Sequence, residues 1–238
     1  PKEQHLERRI VAMRDAMQHG GPDDQGLFIH PHLPLALGHR RLSLIDLSSN
    51  GHQPMHFKDA GLTIVFNGEI YNYREIKSTL QHYGLTFQTE SDTEVILKAY
   101  SYWGVEAFEF FNGMFALAIW DERKQQLVLA RDHAGIKPLY YHLEGTTLFF
   151  ASEVRAFHYC GKKFEENDQW KTAFLTFGHL PEPVTTLNKV KPLPKGSALI
   201  IDLPSLNTKK YYFFKWKFKN ELKIEEEALQ LLRETLEQ

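Results

Sequence analysis

The chain has 238 residues, 42% of them hydrophobic, enough to core one large or two small domains. Its 28 basic and 30 acidic residues nearly cancel, which removes the electrostatic case for binding nucleic acid or an anionic membrane. No apolar run approaches the roughly 20 residues of a membrane span, no signal-like segment opens the chain, and a single cysteine, Cys160, excludes an internal disulfide and suits a reducing cytoplasm.

Leu6, Ile10, Met13 and Met17 recur at helical spacing among charges, which predicts an amphipathic helix over most of the first eighteen residues. Gly20-Gly21-Pro22 ends it. Residues 27–46 alternate as strands do, and Leu35, Leu37, His39, Arg41, Ser43 and Ile45 share one face of the second strand. Arg41 is thereby a guanidinium among apolar neighbours, and such a group needs an anion. A protein carboxylate is the commoner partner; a substrate carboxylate is the other choice.

Leu62-Thr63-Ile64-Val65-Phe66 is almost wholly apolar and β-branched or aromatic, and reads as a buried strand. It runs straight into Asn67-Gly68-Glu69, which places an amide, an unhindered backbone N–H and a carboxylate at the end of a rigid element. Two donors side by side are what an oxyanion hole requires. Asn-Gly is equally the strongest short hairpin signal, and the stretch by itself leaves both readings open.

Tyr73, Ile76, Leu80 and Tyr83 mark a second helix closed by Gly84. Ser91-Asp92-Thr93-Glu94 has the form of a capping box and starts a third. Asp92 is then either an acid complementing the helix N-terminus, the favoured reading from this motif alone, or a partner for a substrate ammonium. Residues 114–120 and 127–130 form a hairpin, 131–138 a loop, and 139–141 and 148–151 further strands. His133 beside Asp132 lacks any recognisable nucleophile motif and reads as structural. Beyond residue 167 a proline-punctuated loop leads to strands at 198–201 and 211–214, then to a helix over 222–236 whose apolar stripe suggests a further partner. Buried hairpin strands with few long crossover helices predict an α+β layered domain built on largely antiparallel sheets.

Five motifs now stand in order: His19 to Asp24, Gly38 to Asp46, Asn67 to Asn72, Ser91 to Glu94, and Arg131 to Tyr140. In order and spacing they resemble the glutaminase half of glutamine-hydrolysing asparagine synthetase, a class II glutamine amidotransferase, over about residues 6–214. The resemblance implies an N-terminal-nucleophile hydrolase-like four-layer αββα sandwich over residues 1–214. It also implies that residues 215–238 form a linker helix leading into an ATP-dependent synthetase domain, whose pyrophosphate loop is not in this sequence. Arg41 and Leu42 would then bind the α-carboxylate end of glutamine, with Arg41 pairing it. Glu69 and Asp92 would hold its ammonium, and Asn67 with the Gly68 N–H would stabilise the oxyanion. No cofactor is implied for this domain, while ATP and Mg belong to the synthetase domain, which would accept the ammonia. The implied partners are glutamine and that domain; the resemblance is compatible with a homodimer.

Two departures qualify it. The family nucleophile is a cysteine at the mature N-terminus, whose α-amino group can act as base; here residue 1 is Pro1 and Cys160 lies outside every motif. The expectation is that a dozen or more residues, with the nucleophile strand, precede Pro1 and that the fragment alone is inactive. Gly20 also stands where the family usually has Arg. The alternatives are a catalytically degenerate platform domain in a β-lactam synthetase-like fusion, or a glutaminase domain serving another acceptor.

Overall fold

The computed structural model describes residues 2–42, 51–214 and 225–236. Helix α1 (Lys2–Asp15) is followed by an antiparallel pair, β1 (Asp24–Ile29) and β2 (Ala36–Arg41). Strands β3 (Met55–Phe57) and β4 (Leu62–Ile70) lead to helices α2 (Tyr73–His82) and α3 (Asp92–Trp103). The hairpin β5 (Gly113–Asp121) and β6 (Gln126–Arg131) precedes β7 (Tyr140–Glu144) and β8 (Thr147–Ala151). Helix α4 (Gln169–Phe177), strands β9 (Lys191–Pro192), β10 (Ser197–Asp202) and β11 (Thr208–Tyr212), and helix α5 (Glu225–Leu236) complete the described elements.

Six strands in the order β11-β10-β6-β5-β4-β3 form the central sheet, and every pairing is antiparallel. Side chains alternate across a strand, so this sheet feeds two cores. On one face Ile64, Phe66, Ile70, Phe115 and Leu117 meet Ile76, Leu80, Ile96 and Ala99 of α2 and α3. On the other, Val65, Ala116, Ala118 and Trp120 meet Leu35 and Leu37, with Tyr141, Leu148 and Phe150 packed alongside. A third core sets Met13 of α1 against Ala151, Phe157 and Cys160. The order is helix, sheet, sheet, helix: the four-layer αββα sandwich that was expected. The second sheet layer is in two pieces, β1-β2 and β8-β7-β9. No helix among the described residues is long and apolar enough to cross a membrane.

Several boundaries differ from the sequence reading. Strand β4 does not stop at Phe66 but continues through Asn67, Gly68 and Glu69 to Ile70, paired throughout with β5, so the Asn-Gly pair is ladder, not turn. The stretch read as loop after residue 167 contains α4, whose Trp170, Ala173, Phe174 and Phe177 recur at helical spacing although none of its residues is buried. Ser91 caps α3 as expected, its Oγ accepting from the Thr93 N–H at 3.1 Å. Glu94, however, turns instead to the Gln88 and Thr89 N–H groups, at 2.9 and 2.6 Å. Ser43 and Ile45, the end of the Gly38-to-Asp46 motif, residues 215–224 and 237–238 of the expected linker, and Pro1 lie outside the described residues.

Candidate active site

The site grows from the outer edge of β4. The Phe115 N–H donates to Asp132 Oδ2 (3.2 Å) and the Asp132 N–H to the Phe115 carbonyl (2.8 Å). Phe115 therefore spends both backbone groups on the side away from β4. Its partner in the ladder is Gly68, and residues directly opposite in an antiparallel pair either exchange both bonds or neither. Gly68 thus points its N–H and C=O outward, beyond the end of the short β3. Its φ is 145°, and a Cβ there would overlap the Met114 carbonyl and come within 2.8 Å of the Phe115 Cα. Only glycine fits. The alternation also sends the Asn67 and Glu69 side chains to the face that carries Val65, the face turned toward β2.

The outward groups on either side of Gly68 are held. Phe66 donates its N–H to Gln53 Oε1 (2.6 Å), and its carbonyl accepts from Gln53 Nε2 (3.1 Å) and His39 Nε2 (3.0 Å). The Ile70 N–H donates to Asp92 Oδ2 (3.1 Å). Asp92 opens α3 and is only 5% exposed. Burial pushes its pKa up to about 6, against the backbone hydrogen bonds of Ile70 and Thr93, and the neighbouring Glu69 charge adds to the rise. Asp92 and Glu69 thus form a pair of acids with no ion-pair partner among the described residues, and a cation between them would be welcomed from both sides.

Arg41 ends β2, across the ladder from Asp24. Burial disfavours the Asp24 carboxylate, but hydrogen bonds from His52 (2.7 Å) and the Gln25 N–H, with the charges of His52 and Arg41, hold its pKa below the usual value. The Arg41 guanidinium lies against Gly51, where a Cβ would overlap Nη2. The arginine is therefore fixed in place, with a carboxylate near its foot. The sequence left a protein carboxylate and a substrate carboxylate open as its partner, and Asp24 supplies a protein carboxylate beside it.

Arg41, Leu42, Asn67, Gly68, Glu69 and Asp92, the six residues singled out from the sequence, all line one cleft of about 550 Å³. It also takes in the α1 residues Leu6, Ile10 and Met13, residues of β2, and Leu148, Phe149 and Phe150 of β8. β2 and β8 each have one edge with no strand partner among the described residues. Gly20, where the resemblance led one to expect arginine, is on the wall of the cleft. Cys160 is not: it is buried in the third core and burial pushes its thiol up, away from a reactive thiolate. Asp132 is fully buried and accepts from the N–H groups of Phe115, Ala134, Ile136 and Lys137, so it orders a loop, in line with its structural reading. Gln53 was missed. A lone glutamine before a proline carries no sequence signal.

A family model described as a glutamine amidotransferase domain matches residues 1–212. Asparagine synthetase (glutamine-hydrolyzing) 1 of Bacillus subtilis is 40% identical over 207 residues, covering 87% of this chain and 32% of that protein. Asparagine synthetase (glutamine-hydrolyzing) of Zea mays is 40% identical over 150 residues, covering 62% of this chain and 25% of its own length. The chain spans less than half the length of the curated relatives it matches. A solved glutamine phosphoribosylpyrophosphate amidotransferase from B. subtilis, complexed with ADP and GMP, superposes with a TM-score of 0.55 at 22% identity, covering 76% of this chain and 35% of that one. That likeness shows the N-terminal-nucleophile hydrolase type of fold.

Proposed function

The chain belongs to the glutamine amidotransferase domain family, and from that premise we propose that its cleft hydrolyses the side-chain amide of glutamine and delivers the ammonia to asparagine synthesis. The amino acid lies with its α-carboxylate on the Arg41 fork, beside Leu42, and its α-ammonium between Glu69 and Asp92. Its side-chain carbonyl then points at the Asn67 amide and the Gly68 N–H. A thiolate attacks that carbon, the oxygen becomes negative against the two donors, and collapse expels the nitrogen as ammonia once it has taken up a proton. Water then cleaves the thioester to glutamate. The thiol would come from a cysteine at the head of a strand before α1, and the apolar cleft between those edges of β2 and β8 that have no strand partner among the described residues is a fitting seat for such a strand. Residues 1–214 would be the glutaminase unit. Residues 215–238 would lead to a synthetase domain in which ATP and Mg activate aspartate for the ammonia. The relatives' names favour this acceptor over the platform and other-acceptor readings.

The observation that carries the reading is the outward Gly68 N–H, left open by the register and flanked by Asn67. An oxyanion donor matters when charge develops, not when glutamine first binds. In the full-length protein Asn67→Ala should lower glutaminase kcat roughly 100- to 1,000-fold with little change in KM, while Arg41→Ala should chiefly raise KM. Ammonia-supported synthesis should survive both. If Asn67→Ala impairs both nitrogen sources together and leaves the kcat of the folded fraction intact, the assignment fails.

A further inference from the structure

The peptide that joins Phe66 to Asn67 is gripped more tightly than its position explains. β3 reaches only as far as Met55, opposite Ile64, so the outward groups of Phe66 would otherwise stand at an open sheet edge. Gln53 fills the place with its side chain: one amide supplies both the acceptor and the donor that a neighbouring strand would have supplied. The His39 ring brings a second donor to the same carbonyl, which fills both lone pairs. A carbonyl only accepts, so the ring nitrogen facing it carries the proton and Nδ1 is a bare lone pair, buried and without a hydrogen-bond partner among the described residues. Burial lowers the His39 pKa to about 4, so the ring stays neutral and the donor stays in place under ordinary conditions.

The four residues involved form one level through two layers. Gly26 pairs with His39 across β1 and β2. The Gln53 backbone rests on Gly26, where a Cβ would overlap its carbonyl, and Gln53 is itself only 6% exposed. Gln53 and His39 then converge on Phe66 from the chain before β3 and from the second sheet layer. Arg41 lies two residues along β2 from His39, and Asn67 is the next residue along β4 from Phe66. The His39 bond is therefore a tie between the strand that carries the cation and the strand that carries the oxyanion donors.

We propose that His39 and Gln53 are positioning residues: together they lock the Phe66–Asn67 peptide and so aim the Asn67 amide and the Gly68 N–H at the reacting carbonyl. Both line the cleft, but the His39 Nε2 and both ends of the Gln53 amide are spent on Phe66. Their effect on rate comes through geometry, where an error of about 1 Å costs on the order of 100-fold. The inference rests on the oxyanion reading of Asn67.

The experiment compares His39→Leu, His39→Gln, Gln53→Glu and Asn67→Ala in the full-length protein, with glutaminase kcat and KM, ammonia-supported synthesis and Tm measured for each. Gln53→Glu keeps the acceptor for the Phe66 N–H but sets an oxygen against the Phe66 carbonyl. His39→Leu and Gln53→Glu should lower glutaminase kcat by about 10- to 100-fold with little change in KM, and leave ammonia-supported synthesis intact. His39→Gln, which can still donate, should recover most of the rate. Lost Tm with an unchanged kcat per folded molecule, or His39→Gln as poor as His39→Leu, overturns the proposal. An unaffected Asn67→Ala removes the oxyanion reading and this inference with it; a damaged Asn67→Ala beside normal His39 and Gln53 variants removes this inference alone. Should the variants not fold, the histidine ¹⁵N spectrum of the unmodified chain near neutrality decides. A proton on Nε2 of His39 supports the tie, and the Nδ1–H tautomer, which leaves Nε2 bare, overturns it.

Discussion

Burying the Asp92 carboxylate costs free energy that its backbone hydrogen bonds do not fully return, since its pKa stays near 6, above the ordinary 3.8. Between those two values the folded protein holds a proton that the unfolded chain has lost. Stability from this group is therefore greatest at low pH, falls as pH rises from about 4 to about 6, and remains at the lower level above that. The gap corresponds to roughly 3 kcal/mol. Asp92→Asn keeps an oxygen for the Ile70 N–H and removes the charge, so it should raise the Tm of the ligand-free chain at neutral pH and flatten its pH dependence below 6. It should also weaken glutamine binding severely. Thermal melts across this range with a binding titration test both halves. A lower Tm at neutral pH would return Asp92 to its role as a helix N-terminal acid, which was the favoured reading of Ser91 to Glu94 taken alone. The local motif could not settle the matter because the deciding quantities, burial and the nearby Glu69, come from other elements.

Strand β4 carries the site because it serves two purposes at once. Leu62, Ile64, Phe66 and Ile70 anchor one face in the core under α2 and α3, while the alternation lifts Asn67 and Glu69 into the cleft. Gly68 is the point where both demands meet. Its φ lies in a region that costs a side-chain-bearing residue about 1–3 kcal/mol, and a Cβ would also force β4 from β5 at Met114. Gly68→Ala should therefore lower stability by at least that amount, read from urea unfolding, and abolish glutaminase activity in the folded fraction. A variant of unchanged stability would mean that the close approach at Met114 relaxes freely. The apolar half of β4 was legible from composition, and so was the run of polar groups behind it. Its continuation past Phe66 was not, because Asn and Gly are poor strand formers and only the β5 partner keeps them in register. Arg41 shows the same limit: its strand face was read correctly, but Asp24 joins it through a cross-strand pairing that no local pattern announces.

Taken whole, the molecule is a rigid central sheet covered by cores on both faces, with a thinner layer, β1-β2, bounding the cleft. The layered α+β class was readable because hairpin signals and amphipathic helices follow one another along the chain. The division of the second layer into two pieces was not, since it depends on which edges meet. A two-stranded pair is marginal by itself; here Leu35 and Leu37 hold it in the second core and the His39–Phe66 bond ties it to β4. Backbone amides of β4, β5 and β6 should accordingly exchange with solvent most slowly, and those of β1 and β2 substantially faster, through local opening toward the cleft. Glutamine in the proposed pose would bridge the layers, with its carboxylate on β2 and its ammonium on β4 and α3. At 100 times its dissociation constant a ligand specific to the closed form stabilises it by about 2.7 kcal/mol, and that gain should appear in β1 and β2 while the central sheet changes little. Hydrogen exchange with and without glutamine, on a protein whose nucleophile has been removed to prevent turnover, makes the comparison. Protection confined to β4 and α3, with β1 and β2 unaffected, would detach Arg41 from the ligand and leave only the ammonium end of the pose standing.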